Sequence, residues 1–403
     1  MQTTAAENTG KGINRNELTF VARLSLVSVS RMFGLFMVLP VLAVWVSEFP
    51  QATPQLIGIA VGAYGVTQAL LQMPYGVLSD KIGRVPVVIM GLTIFAAGSA
   101  IVASADQIGG VIIGRLLQGA GAVSATLSAW LADRTRPEVR TPAMAIFGAT
   151  IGASFLLALV FGPLLSVAIG VRGLFWLSAG LGCFGIALVL PDLGRRALPV
   201  ATMPAVARVR WGQVLRGDLL GLDLAVLLLH AALLAFFVLA PFVLMERIGR
   251  APESLWQVYT LTLLASLPIT VGMIMIDGRA RTARLLQPAV ALLVIGTVAM
   301  AWSGTSIWLF GTGATLFFGG FSYLEAALPA ELSRRADPNQ RGASLGVFAS
   351  AQFFGAFVGS TLAGGFASGT AAGDGLIGMA VVLLLWFVVS SAAVSIKSRA
   401  SGA

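Results

Sequence analysis

Four ionisable residues, Arg31, Arg115, His230 and Glu325, each stand inside a long run of apolar residues. Such a group is costly to hold in hydrocarbon unless it finds a partner or water, so each is a functional candidate by position alone. The chemistry open to them is proton exchange and ion pairing. A desolvated carboxyl takes up a proton more readily, which makes Glu325 the leading candidate for proton coupling, against the plainer reading of a carboxylate permanently paired with an arginine. His230 titrates near neutral pH without help and is the second candidate, or else a hydrogen-bonded packing residue. Arg31 has the chemistry to hold Glu325 or an anionic ligand, or to serve as a structural clasp. Arg115 is expected to face a cavity, the alternative being a guanidinium that clamps backbone carbonyls at a helix kink.

Uncharged polar residues extend this set. Gln68 and Gln72 are four apart and share a helix face with Tyr64 one turn earlier. With Gln118, Gln352, Arg31 and Arg115 they make up a candidate substrate cavity, and helix-to-helix hydrogen bonds are the equal alternative. Phe317, Phe318, Phe321, Phe353 and Phe354 suit lipid, core or ligand alike. Other chemistries are excluded. One histidine and one cysteine cannot build the usual His/Cys metal sites. The Gly10-Lys11 pair is followed by Gly12 and makes no nucleotide-binding loop. No nucleophile elbow or dinucleotide fingerprint occurs in a soluble context, so no enzyme, cofactor or metal is expected. Cys183, inside an apolar stretch, is expected to be a buried small hydrophobe.

The elements that position these residues are membrane helices. Apolar residues make up 57% of the chain and charged residues 11%, with a mean hydropathy of +0.90. A soluble domain carries about 25% charged residues. Twelve apolar stretches fall near 19–47, 55–78, 86–104, 108–131, 141–168, 172–191, 219–244, 252–277, 286–304, 308–331, 342–368 and 374–395. Each is close to the ~20 residues a helix needs to cross the hydrocarbon. Nothing alternates as the strands of a membrane barrel would.

The net charge of +9 invites a nucleic-acid reading, which the placement of the charges rejects. With the N-terminus inside, 21 of the 26 basic residues lie in inner segments, among them Lys81, Arg84, Arg134, Arg136, Arg140, Arg195, Arg208, Arg281 and Arg334. Outer loops hold Arg172, Arg247 and Arg250. This is the positive-inside pattern of a cytoplasmic-membrane protein with both termini cytoplasmic. The polar first eighteen residues do not resemble a cleaved signal.

The chain reads as a duplicated six-helix unit. At one fixed offset Pro40 aligns with Pro241, Gly119 with Gly320, Pro137 with Pro338, Arg140 with Arg341 and Phe147 with Phe348. The expected division is an N-terminal half over 1–191, a linker over 192–217 rich in arginine with Pro199 and Pro204, and a C-terminal half over 218–403. Duplicated halves with the substrate between them are the design of a secondary transporter.

Between the second and third stretches runs Gly76-Val77-Leu78-Ser79-Asp80-Lys81-Ile82-Gly83-Arg84. This spacing resembles the loop between helices 2 and 3 of the major facilitator superfamily, and Arg115-x-x-Gln118-Gly119-x-Gly121 resembles its helix 4 motif. Gly152 to Gly162-Pro163 resembles the glycine-proline motif of the drug:proton antiporter branch, although Leu165-Ser166 stands where that pattern has two glycines. The run from Arg31 to Leu42, with His230 and Tyr323 to Pro329, is similar to a proton-driven exporter of the same superfamily. That exporter carries an extra cytoplasmic domain after helix 12, which is not expected here.

The resemblance implies an all-α membrane protein with twelve helices in two pseudo-symmetric halves. It further implies a cytoplasmic gate of Gly76, Asp80, Arg84 and Asp133, with Asp80 also facing the start of helix 11 near Gly342. The reading is a proton-coupled secondary transporter working by alternating access, expected to export small amphiphilic compounds as a monomer of the inner membrane. Its partners would be a small-molecule substrate, protons and lipids, with no nucleic acid. A proton symporter importing a metabolite, or a non-transporting receptor on the same fold, are the alternatives.

Overall fold

The computed structural model describes residues 12–194, 210–280, 285–337, 340–368 and 371–401, with backbone alone at 278–280 and 393–401. The central part of the expected linker, including Pro199 and Pro204, lies outside the described residues, as do Lys11, Arg195, Arg208, Arg281 and Pro338. Among the described residues the regular structure is entirely helical.

The N-terminal half comprises α1 (Arg15–Ser47), α2 (Pro54–Ile82), α3 (Arg84–Ala103) and α4 (Ile108–Arg134). A single helical run, Pro137–Val189, then divides at Gly170 into α5 (137–169) and α6 (171–189). The C-terminal half comprises α7 (Gly217–Phe242), α8 (Leu255–Ala280), α9 (Leu286–Ala301), α10 (Ile307–Arg335), α11 (Arg341–Gly364) and α12 (Ala371–Ser401). The twelve apolar stretches thus become twelve helices in two sets of six.

Local chemistry sets the ends. The Asn14 side chain accepts from the Glu17 amide, 2.8 Å away, and Glu17 accepts in return from the Asn14 amide, a capping box that starts α1. Thr53 caps α2 ahead of Pro54. Gly83 has φ +99°, a conformation costly for residues with a β-carbon, and it turns the chain from α2 into α3 in one residue. Gly170, at φ +68°, does the same between α5 and α6, so a kink replaces the loop expected there.

Two helices are broken within their length. α1 is interrupted at Met37–Val38 ahead of Pro40, and a β-carbon on Gly162 of α5 would stand 1.9 Å from the Met37 carbonyl oxygen. α4 is interrupted over Gly121–Val123. The aligned prolines mark similar places: Pro241 precedes a π-turn over Val243–Arg247 at the end of α7.

Bilayer lipids give helices little hydrophobic reason to associate, so close backbone packing through small residues matters more. Gly355 and Gly359 of α11 lie on the Leu227 and Ala231 carbonyls of α7. Gly119 of α4 lies on the Tyr64 carbonyl of α2, and its repeat partner Gly320 lies on that of Ala289 in α9. Phe236, Phe317 and Phe318 form a buried aromatic stack in the C-terminal half. Phe354, by contrast, is exposed at the bundle surface. Cys183 is also exposed, contrary to the buried role expected from its apolar neighbours. In a membrane helix an apolar run covers the lipid-facing surface as well as the core, so the run alone could not place it.

Candidate functional site

The ionisable residues of the C-terminal half converge. Glu325 of α10, His230 of α7 and Gln352 of α11 meet where the two halves face each other. His230 Nδ1 stands 3.2 Å from the Val226 carbonyl of its own helix turn. A carbonyl only accepts, so Nδ1 carries the hydrogen and neutral His230 presents Nε2 as an acceptor. Gln352 Nε2 fits that assignment, donating to His230 Nε2 at 2.8 Å and to Glu325 Oε1 at 3.2 Å. The second carboxylate oxygen, Oε2, is 3.3 Å from His230 Nε2, within ion-pair reach but without a hydrogen bond. Glu325 keeps 39% of its side chain accessible and His230 only 9%. The carboxylate is therefore the open member of the group and the imidazole the covered one. A proton on His230 Nε2 would turn that atom into a donor toward Glu325 and displace the Gln352 amide hydrogen. The three side chains thus form one coupled unit.

Arg31 does not reach this group. It is 1% exposed, donates through Nη2 to Gln68 Oε1 at 3.0 Å and lies over the Phe95 ring at 5.7 Å. Its Nε and Gln68 Nε2 have no hydrogen-bond partner. Of the readings open to Arg31, pairing with Glu325 is not made in this state: its charged hydrogen bond goes to Gln68 of its own half, and Nε is left without a partner. Arg115 is fully buried and donates to the Val61 carbonyl of α2 at 3.0 Å and to Gln118 Oε1 at 2.8 Å. It also lies over the Tyr64 ring at 4.5 Å, and Gln118 passes a hydrogen bond on to Ser99 of α3 at 2.8 Å. This is the carbonyl-clamping arrangement, six residues before the break in α4. Gln72 is buried with Oε1 unpaired.

An aromatic layer crosses between the halves. Tyr64 meets Phe353 at 6.5 Å, Phe155 meets Phe321 at 6.3 Å, and Phe321 meets His230 at 5.7 Å. On the face away from the termini the halves are sealed by glycine contacts between α2 and α11, at Gly58, Gly62 and Gly364. Toward the other face Ser350 still donates to the Ala69 carbonyl at 2.9 Å and Met73 touches Gly346. Beyond that point a β-carbon on Gly76 or Gly342 would meet nothing within 4 Å. No contact of Asp80 with the start of α11 is seen among the described residues, and its carboxylate pairs with Arg84.

On that same face Arg84 joins the loop residues. Its Nε donates to Asp133 Oδ2 at 2.9 Å, Nη1 donates to Ser79 Oγ at 2.6 Å, and Nη1 pairs with Asp80 Oδ1 at 2.5 Å. Nearby, Arg136 holds Glu17 at 2.8 Å, and the hydrogen bond raises the guanidinium above its ordinary range. Arg23 pairs with Asp192.

Sequence reasoning missed Ser99, Phe95 and Asp223, the last a carboxylate two turns before His230 on α7. The spacing of Asp223 and His230 on one apolar helix was the signal available for it.

With this geometry in place, comparison with known proteins assigns the fold. The model of the Major Facilitator Superfamily matches residues 24–360. The inner membrane transport protein YajR of Escherichia coli is 37% identical over 366 residues, covering 90% of this chain and 80% of that one. The class G tetracycline resistance protein of Vibrio anguillarum is 28% identical over 59% of this chain and 58% of its own. Among solved structures, a bacterial homologue of the human lysosomal transporter Spinster, in an inward-facing and occupied conformation, superposes with a TM-score of 0.72. It is 14% identical, with 96% of this chain and 98% of that one covered. The chain belongs to the major facilitator superfamily. It is a multi-pass membrane transporter of small molecules and not an enzyme.

Proposed function

We propose that this transporter is a proton-coupled exporter of small amphiphilic compounds, neutral or cationic, working by alternating access. The observation that carries the reading is the group of Glu325, His230 and Gln352, a partly accessible carboxylate joined through the Gln352 amide to a buried imidazole. Ligand binds with Glu325 ionised. A proton arriving from the far face neutralises Glu325 through an O–H bond to one carboxylate oxygen, removes its attraction for a cationic ligand and lets the ligand leave. Reciprocal linkage follows, since proton and ligand acting on one region must alter each other's binding by the same factor. Arg31, Tyr64, Gln68, Gln72, Arg115, Gln118 and Gln352 make up the substrate cavity of this reading. The run from Gly152 to Gly162-Pro163, which resembles the glycine-proline motif of the antiporter branch, favours export over uptake.

In this reading both termini are cytoplasmic, so the Gly76 end of α2 and the Gly342 end of α11 face the cytoplasm of a monomer in the inner membrane. The halves are 1–191 and 218–403, joined by the linker 192–217. Gly76, Asp80, Arg84 and Asp133 form the cytoplasmic gate. The test is a pH jump on proteoliposomes containing wild type or Glu325→Gln, assayed against a panel of lipophilic cations and neutral amphiphiles. Loss of uphill movement in the variant with retained downhill exchange is the expected result. Undiminished uphill transport by Glu325→Gln would overturn the reading.

A further inference from the structure

Asp223 takes no part in the site above, yet it is a carboxylic acid within the membrane. It is 6% exposed, and its Oδ1 is buried without a hydrogen-bond partner. No ion pair reaches it among the described residues. The charged and titratable groups on the packed elements are engaged or distant. On α7 itself Asp218 is held by Arg216 at 2.6 Å. On α11 the only charged residue is Arg341 at its first position. The contacts of Leu227 with Gly355 and of Ala231 with Gly359 set Asp223 level with Ala351, which leaves Arg341 ten residues and about 15 Å away along the axis. On α10 Glu331 is paired with Arg334 and Arg335, Glu325 belongs to the His230 group and Tyr323 carries a buried hydroxyl. On α12 Asp374 stands at the opposite end, and Lys397 and Arg399 at the near end lie outside the described side chains; on α2 Asp80 is held by Arg84, beside Tyr64, Tyr75 and exposed Lys81.

An ionised carboxylate left unpaired in such a place is costly, so a neutral, protonated Asp223 is the stable form. Its position gives that proton a use. Residues seven apart on a helix differ by about 20° in direction and about 10 Å in height, so Asp223 and His230 share one face of α7. Asp223 lies on the side of the termini, six residues from the start of α7.

We infer that Asp223 is a second proton-carrying carboxyl, which relays protons between the Glu325–His230 group and water on the termini face. The inference rests on the proposed proton coupling at Glu325. The O–H bond of Glu325 breaks, a proton passes through intervening water to a carboxylate oxygen of Asp223, and the proton formerly on Asp223 leaves to bulk water. The two carboxyls end with one proton fewer, matched by the one gained in solution. Asp223 stands about 10 Å along α7 from His230, too far for direct transfer to that group, so the relay requires intervening water.

Infrared difference spectroscopy of the reconstituted full chain reads each protonated carboxyl directly, without any substrate. Asp223→Asn should lose one carboxyl C=O band present in the wild type at neutral pH. It should also slow the relaxation of the Glu325 band after a pH jump by about tenfold or more. Asp223→Glu should restore both. An unchanged band pattern or an unchanged relaxation rate in Asp223→Asn would overturn the relay. If the asparagine variant does not fold, Asp223→Glu decides instead: the C=O band should shift in frequency, and an unshifted spectrum rejects a protonated Asp223. Normal driven transport by Glu325→Gln would refute the coupling role of Glu325 while leaving the Asp223 band in place, so the two failures are distinguishable.

Discussion

Gly62 of α2 and Ser360 of α11 touch across the seam between the halves so closely that a β-carbon at 62 would stand 1.9 Å from Ser360 Oγ. The α11 backbone at Phe357 is only 3.0 Å from the same point, so a rotamer change of the serine would not make room. Gly58 is closer still to backbone, 2.2 Å from the Ser360 carbonyl oxygen. The closure of the far face therefore depends on missing side chains.

Gly62→Val should accordingly disfavour the far-closed state. Spin labels at Gln55 and Gly365, which approach each other at the far end of this seam, should report a longer mean separation in the variant than in wild type. An identical distance distribution would show that the seam does not control closure.

Asp80→Asn removes one of the carboxylates on Arg84 and leaves the bond to Asp133. Exposed or half-exposed pairs contribute about 0–1 kcal/mol, so thermal stability in detergent should change little. Transport should fall, because Asp80 is then unable to close against α11 with its charge. A variant that transports at the wild-type rate would remove Asp80 from the gate.

Arg115→Ala should behave in the opposite way. It deletes donors to the Val61 carbonyl and to Gln118 in a fully buried site, a loss of about 1.5–3 kcal/mol. The unfolding temperature should drop, and Arg115→Lys should recover part of it. A stable alanine variant with altered substrate preference would instead place Arg115 on the ligand.

Single cysteines report the orientation. One at Asp106, whose side chain is 84% exposed, should react with a membrane-impermeant reagent from outside the cell. One at Lys81 should react only after the membrane is opened. The reverse pattern would invert the topology.

The helices were legible because hydrocarbon imposes one requirement on every span, and the ends of α2, α4, α7 and α10 fall within a few residues of the apolar stretches. The division of α5 from α6 was read as a loop because Gly170 alone makes it, and a lone glycine in a glycine-rich chain is not a signal. Within the site, residue type marked Glu325 and His230 as titratable, and the resemblance of the 76–84 loop to that of the superfamily implied a cluster of Asp80, Arg84 and Asp133. The role of Gln352 as the bridge between Glu325 and His230 could not be read, since side chains on three helices meet only through interhelical packing. Arg31 shows the same limit: its charge was visible, whereas its partner depended on which face of α1 turns toward Gln68.

Helix α9, at 16 residues, is the shortest of the twelve. At 1.5 Å per residue it rises about 24 Å, roughly 6 Å less than the hydrocarbon of an average bilayer. Trp302 and Trp308, 73% and 85% exposed, flank its far end, where indole rings anchor to the headgroup level. The lipids beside α9 must thin to meet it, while those beside the 29-residue α2 need not. The protein therefore carries a lopsided membrane deformation around its perimeter, and thin bilayers should accommodate it with less strain than thick, sterol-like ones.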